Sequence, residues 1–264
     1  MNCHEREGIR WYSFENLDRL GVPHGLVTRR GGVSPSPHAS LNLGSTNGDK
    51  PANVEENRRR MYAAIGREPG SRFNSWQVHG TTMLFTDAPR DPQIPPQPGD
   101  GIFTQNPEVT LTMVFADCIP ILIHDPVQKV AGLVHAGWGG TLHQVASVAV
   151  SRMAEQYGSH ARDLVVGLGP SICGKCYEVG QEVYESFLRL WGDAGQAFFK
   201  PQGQRYLLDL WAANEYCLRQ AGVEQIEQSG LCTAENLDDW YSYRKERGAT
   251  GRFAAVIALK GDDA

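Results

Sequence analysis

Apolar positions follow two periods along this chain, and their alternation sets the expected architecture. Between residues 140 and 157, Leu142, Val145, Ala146, Ala149 and Met153 recur at helical spacing, which predicts one continuous helix. Residues 53–65 also read as a helix, with Asn53 as its N-cap and Glu56 three positions on. Further helices are expected at residues 181–191 and 209–221. Short β-rich runs fill residues 109–115, 119–124, 130–134, 164–168 and 254–259, each too short and too rich in branched side chains for a helix. Strands gather in consecutive runs rather than in strict strand–helix alternation. That order predicts an α+β fold, with mixed β-sheets flanked by helices.

One cluster of breakers interrupts the pattern, with prolines at 89, 92, 95, 96 and 98 followed by Gly99. Proline neither donates to a ladder nor continues a helix. Strand-like segments stand close on both sides, and neither side looks complete enough to fold alone. The cluster therefore reads as a surface loop inside one domain spanning residues 1–264.

Composition narrows the function classes. The 264 residues are 41% hydrophobic and 21% charged, with a formal net charge of −5. An acidic balance of this kind argues against a nucleic-acid partner. No apolar run approaches the ~18 residues of a membrane span. The first twenty residues carry charges throughout, unlike a secretory leader, so a cytoplasmic setting is expected. Six cysteines in a chain of this length read as free thiols or metal ligands rather than a disulfide framework.

Three metal-capable side chains stand at the edges of expected strands. His79 lies in Trp76-Gln-Val-His-Gly80, Cys118 in Ala116-Asp-Cys-Ile-Pro120, and His135 in Val134-His-Ala-Gly-Trp-Gly139. Two imidazoles and a thiolate suit Zn²⁺, and three protein ligands leave a position open for water or substrate. Their spacing matches no short zinc motif, so the residues alone equally allow core histidines and a buried thiol. Asp117 is a candidate general base or an orienter of the ligands, but it shares a site with Cys118 only if the chain bends between them. His124 and His143 are the remaining candidates for a fourth ligand, and ordinary polar positions otherwise. Arg29, Arg244 and Arg252 stand beside glycines and suit phosphate or ribose oxygens, with surface ion pairing as the alternative. Arg30 reads as solvent-facing. Asn42, between Leu41 and Leu43, is either a substrate contact or a turn-forming amide.

These segments, taken together and in order, resemble the laccase-domain family, whose members are variously labelled multicopper polyphenol oxidase, purine nucleoside phosphorylase and peptidoglycan editing factor. The resemblance is carried by Ser40-Leu-Asn-Leu-Gly44, the motifs around His79, Cys118 and His135, Gly169-Pro-Ser-Ile172, Cys176-Tyr-Glu-Val-Gly180, Ser242-Tyr-Arg244 and Thr250-Gly-Arg252. It implies that His79, Cys118 and His135 are zinc ligands. It also implies phosphorolysis of adenosine, inosine, guanosine or methylthioadenosine, together with adenosine deamination, so that a purine nucleoside and phosphate are the expected partners. Amide hydrolysis of a cell-wall precursor is a second reading, either through the metal or with Cys118 as nucleophile and His135 as base. A non-catalytic metal-binding module is a third. One departure stands out: Gly139 occupies the position where the family usually carries arginine after His-Ala-Gly-Trp.

Other motifs carry less. Gly169 to Cys176 falls one residue short of a P-loop, because Cys176 replaces the Mg²⁺-binding hydroxyl and Pro170 removes a donor. Cys173 and Cys176 form a lone Cys-X-X-Cys, read as a structural turn. None of the eight histidines forms the His-X-His pair of true multicopper oxidases. Copper would nonetheless compete for the same three ligands, so polyphenol oxidation is expected only as a consequence of copper loading. The His-X-Glu and Pro-Cys-X-X-Cys signature of zinc nucleoside deaminases is absent as well, so any deamination needs a differently built site.

Overall fold

In a computed structural model describing residues 1–261, two six-stranded sheets stack face to face and helices cover their outer sides. The first sheet runs β1 (Asn2–Arg6), β2 (Ile9–Ser13), β3 (His24–Val27), β15 (Phe253–Ala258), β7 (Thr110–Phe115), β4 (Arg72–Phe73). The second runs β14 (Gln225–Gln228), β10 (Val165–Leu168), β8 (Ile119–Asp125), β9 (Val130–Ala136), β6 (Gly101–Thr104), β5 (Met83–Thr86). A small third sheet joins β11 (Glu178–Val179), β13 (Arg205–Leu208) and β12 (Phe199–Gln202). Most pairs are antiparallel, but β4–β7, β5–β6 and β10–β14 are parallel. The expected α+β fold with mixed sheets is observed.

Side-chain alternation explains the layering. Leu111, Met113 and Phe115 of β7 and Phe253, Ala255 and Ile257 of β15 face the second sheet, meeting Ile102, Leu122 and Leu133. Ala254 and Val256 point the other way, onto Met61 and Tyr62 of α2 (Pro51–Ala64). The opposite face of the second sheet, including Ile121, Ile123 and Val134, packs on α4 (Val145–Tyr157), α5 (Gln181–Trp191) and α7 (Leu210–Gln220). Short helices α1 (Glu15–Asp18), α3 (Trp138–Leu142) and α6 (Asp193–Gln196) complete the order. β8 and β9 are buried throughout, which is why they read as unbroken apolar runs.

Two helix expectations need correction. The stretch expected to be one helix from 140 to 157 is two, α3 and α4, separated at His143 and Gln144. Trp191 Nε1–H takes the carbonyl of Leu142 at 2.7 Å, and Gln144 turns to a φ of 57°. One tertiary donor thus takes the Leu142 carbonyl at the break. The second helix starts at Pro51 rather than at an Asn53 cap, because proline suits the first helical position. Asp49 Oδ1 accepts from both Lys50 N and Asn53 Nδ2.

The proline cluster is a loop joining β5 to β6, neighbours in one sheet. It folds back on the segment carrying His79: Trp76 N donates to Gln97 O at 2.8 Å, and Gly99 N donates to Trp76 O at 2.9 Å. On the other side of the first sheet, the buried amide of Asn57 joins α2 to the loop before it. Its Nδ2 donates to Ser34 Oγ and Asn42 O at 2.8 Å, and its Oδ1 accepts from Val33 N at 2.9 Å. Asn57→Ala leaves these buried groups unpaired and should cost roughly 2–4 kcal/mol of stability. Chemical denaturation read by circular dichroism tests this; an unchanged midpoint would contradict it.

Candidate metal centre and its cleft

The three expected ligands converge. Ligand atoms of His79, Cys118 and His135 lie within 4.8 Å of one another, although 56 positions separate the first from the last. Cys118 sits where the chain leaves the first sheet after β7 and enters the second as β8. A bend at residues 116–118 makes that crossing, with Asp117 at a φ of 84°. His135 is carried by β9, opposite Pro120 of β8. His79 occupies a loop position with a φ of 59°, a conformation costly for a side-chain-bearing residue unless its surroundings hold it.

Asp100 holds it. This fully buried carboxylate precedes β6 and gathers four donors. Its Oδ1 accepts from His79 N at 3.0 Å and from His135 Nδ1 at 2.9 Å. Its Oδ2 accepts from Gly80 N at 2.7 Å and Val78 N at 3.3 Å. With Nδ1 turned to Asp100, the His135 ring presents Nε2 to the site, the arrangement that orients metal-binding imidazoles. Burial opposes ionisation of Asp100, yet His135 and the N–H groups of Gly80 and His79 keep it below the usual carboxylate range. Sequence reading missed Asp100, because an aspartate after Pro-Gly looks like a turn residue.

Gly137 makes the approach of the ligands possible. A Cβ at this position would stand 2.7 Å from His79 Nδ1 and 2.9 Å from Cys118 Sγ. Its φ of −83° is ordinary, so the requirement is for space alone. Among the described residues no fourth ligand joins the group. His124 Nδ1 pairs with Val130 O at 3.0 Å, and His143 Nδ1 with Gly139 O at 2.9 Å.

Burial disfavours the Cys118 thiolate, but the adjacent His135 and His79 bring this thiol down to about 6. Burial likewise disfavours the His135 imidazolium, and Cys118 and Asp100 outweigh it, raising His135 to about 9. The two opposite shifts favour thiolate and imidazolium over the neutral pair. The donor set therefore fits a metal ion, which replaces the His135 proton as the positive charge against the thiolate.

The group lies in a cleft of about 650 Å³. Four arginines line it: Arg58, Arg72, Arg244 and Arg252. Arg244 and Arg252 were expected; Arg58 and Arg72 were not. Arg58 falls four residues after Val54 and three before Met61, both buried, so helical spacing was the available signal. Arg72 has no acidic or hydrogen-bonding side-chain partner among the described residues, and its charge, after burial itself, helps lower the Arg58 pKa. Arg252 Cζ stands 5.5 Å from the Tyr243 ring centre and Arg244 Cζ 4.9 Å from that of Tyr177. Trp76, Trp138 and Tyr243 leave aromatic surface exposed around the cleft.

The remaining expected residues are placed differently. Asp117 borders the cleft, but Thr233 Oγ1 donates to its Oδ1 at 2.6 Å and Arg244 N to its Oδ2 at 2.7 Å. That geometry favours the orienter over the general base. Arg29 is not brought to this cleft. Its guanidinium donates to Ala39 O, Leu237 O, Trp240 O and Glu246 Oε1, leaving it a loop-binding role. Asn42 is also corrected from substrate contact to turn-former. It is fully buried, and bonds Gly44, Asn47, Asp49 and Arg252 N. Gly139 does not line the cleft, and a Cβ there would stand 3.2 Å from His79 O.

Gly137→Ala should weaken metal binding at least tenfold while leaving the melting temperature of the metal-free protein nearly unchanged. Asp100→Ala should weaken it about 10–100-fold through loss of ligand orientation. Competition with a chromophoric chelator measures both. Binding should also release protons in a pH-dependent number. Below about 9 His135 carries a proton the ion must displace, and below about 6 Cys118 carries another. Zinc affinity therefore falls as pH is lowered. Calorimetry in buffers of different ionisation heat should find about one proton released from this pair at pH 7.5, approaching two at pH 5.

Comparison with known proteins places the chain in a family. Residues 23–260 match the family described as multi-copper polyphenol oxidoreductase laccase. A Deinococcus radiodurans protein named purine nucleoside phosphorylase is 40% identical over 242 residues, 91% of this chain and 90% of its own. Purine nucleoside phosphorylase YlmD of Bacillus subtilis is 34% identical, over 96% of this chain and 94% of its own. The crystal structure of YlmD from Geobacillus stearothermophilus superposes with a TM-score of 0.91 at 32% identity, covering 98% of each chain. This chain belongs to the multi-copper polyphenol oxidoreductase laccase family, the laccase-domain family to which its motifs pointed.

Proposed function

We propose that this protein is a zinc-dependent purine nucleoside phosphorylase of the cytoplasm, and that the same cleft deaminates adenosine. The reading rests above all on Arg72, a cation without a carboxylate partner among the described residues, set beside Arg58 in the cleft that holds the Cys/His₂ group. A single carboxylate, Glu55 at 3.7 Å from Arg58, stands against the two neighbouring guanidinium groups, and the surplus charge suits an anionic ligand whose oxygens fit their fork geometry, such as inorganic phosphate. The names of the relatives agree in kind.

In phosphorolysis a phosphate oxygen bonds C1′ of the ribose as the C1′–N9 bond breaks, and the base leaves with the electron pair and gains a proton. Arg58, Arg72, Arg244 and Arg252 would bind and orient the phosphate and balance charge as it redistributes. Trp76, Trp138 and Tyr243 offer ring faces to a purine. Zinc held by His79, Cys118 and His135 would supply Lewis-acid polarisation in the cleft. Asp100 and Asp117 act through others: the first aims His135 and His79, the second ties the Arg244 backbone beside Cys118. Copper binds such ligands more tightly than zinc, so copper loading is the route to any phenol oxidation.

Incubating zinc-loaded protein with adenosine, with and without phosphate, separates the activities. Adenine and ribose 1-phosphate should form only with phosphate, and inosine without it. Arg72→Ala should raise KM for phosphate at least tenfold with a smaller change for the nucleoside. No product above a Cys118→Ala control would overturn the proposal.

A second reading has its own observation. The metal-free thiolate–imidazolium pair of Cys118 and His135 is what a cysteine hydrolase needs, acting on an amide such as that of a cell-wall precursor. It requires amide cleavage that survives complete chelation.

A further inference from the structure

The lone Cys-X-X-Cys finds partners in the fold. After β10 the chain forms a turn in which Cys176 N donates to Cys173 O at 2.9 Å. After β14 a second strand of chain runs parallel beside it, bridged at Ser171 and Cys232. Ser171 N donates to Leu231 O at 3.3 Å, and Thr233 N returns the bond to Ser171 O at 3.0 Å. This pairing brings Cys232 and Glu235 against the turn. The sulfurs of Cys173, Cys176 and Cys232 and a carboxylate oxygen of Glu235 all lie within 4.8 Å of one another.

We propose that Cys173, Cys176, Cys232 and Glu235 form a second metal site, structural in kind, for a tetrahedral borderline-soft cation of the Zn²⁺ class. Cys232-Thr-Ala-Glu235 repeats the two-residue spacing of Cys173-Gly-Lys-Cys176, so two short turns face each other as in paired-knuckle zinc sites. Zn–S bonds of ~2.3 Å imply sulfur–sulfur edges of about 3.8 Å, so the four donors need only a small contraction around an ion. Cys173 N–H donates to Cys232 Sγ at 3.4 Å, a bond that favours the thiolate a metal requires. Cys232 is buried and Glu235 exposed, which leaves an entry path on the solvent side. Binding displaces the three thiol protons. Three thiolates and a carboxylate around a dication leave net negative charge, and Lys175 and Lys200 line the adjoining cavity.

The site would clamp the loops that support the first one. Ser171 Oγ and Ile172 N donate to Asp117 O at 2.8 and 3.0 Å, and Thr233 Oγ1 donates to its carboxylate. The proposal is independent of the enzymatic reading, and its test reads metal rather than turnover.

Full-length protein, stripped by chelator and kept reduced and anaerobic, is titrated with Co²⁺ as wild type and as Cys118→Ala. Wild type should bind two ions per chain. Cys118→Ala should retain one, with intense thiolate-to-cobalt bands and a tetrahedral ligand-field spectrum that Zn²⁺ bleaches. Adding Cys173→Ser and Cys176→Ser to Cys118→Ala should abolish those bands. Because Cys232 is buried and its replacement endangers folding, the exposed Glu235→Ala serves as the second probe. It should weaken cobalt binding at least tenfold and keep the thiolate bands. A single wild-type ion that is lost in Cys118→Ala, bands that survive loss of both turn cysteines, or unchanged affinity in Glu235→Ala would each overturn the four-ligand site. So would reduced Cys118→Ala protein that binds no cobalt.

Discussion

A charge buried without water must be matched by donors, and Asp100 is where this fold meets that demand. Its carboxylate lies between the loop carrying His79 and the strand carrying His135, with no solvent access. Three backbone N–H groups and one imidazole satisfy it. In doing so they hold His79 in a left-handed backbone conformation and fix which ring nitrogen of His135 faces the site. Without this anion the two imidazoles would have no common orientation.

Asp117 does the corresponding work one position before the thiol. Its two oxygens and its carbonyl accept from Thr233, Arg244, Ser171 and Ile172, which belong to three separate stretches of chain. Both carboxylates are thus committed to the scaffold rather than to proton transfer. The groups left facing the cleft are the Cys118–His135 pair and the arginines around it. A buried thiolate is tolerable only beside a cation, whether imidazolium or metal, so metal content and protonation are two states of one electrostatic balance.

The cleft itself follows from the stacking of the two sheets. β7 and β8 are consecutive in sequence but belong to different sheets, so the bend between them lies at the strand ends and places Cys118 at the cleft. The proline loop, which cannot join a ladder, instead returns to brace the segment before His79. Gly137 then keeps side-chain bulk away from the point where the imidazole and the thiol meet.

Local chemistry made much of this readable without coordinates. Buried strands β8 and β9 announce themselves as unbroken apolar runs, helix α5 by its period, and the candidate ligands His79, Cys118 and His135 by the motifs around them. The same local signals fail wherever a long-range partner decides. Trp191 splits a helix that periodicity reads as continuous. Glu246 and three carbonyls, Ala39, Leu237 and Trp240, claim Arg29, and a ring of loop amides claims Asn42. Asp100 and Arg72 carry no distinctive spacing, and they and Arg58 acquire meaning only from what lies across the cleft. The sequence by itself determined most of the elements and the α+β class, because periodicity is a property of short segments, and through its motifs it singled out His79, Cys118 and His135 as the candidate ligand trio. Which polar groups are aimed, satisfied or left free was decided only by the tertiary structure, because a hydrogen-bond partner fifty or a hundred residues away has no local trace.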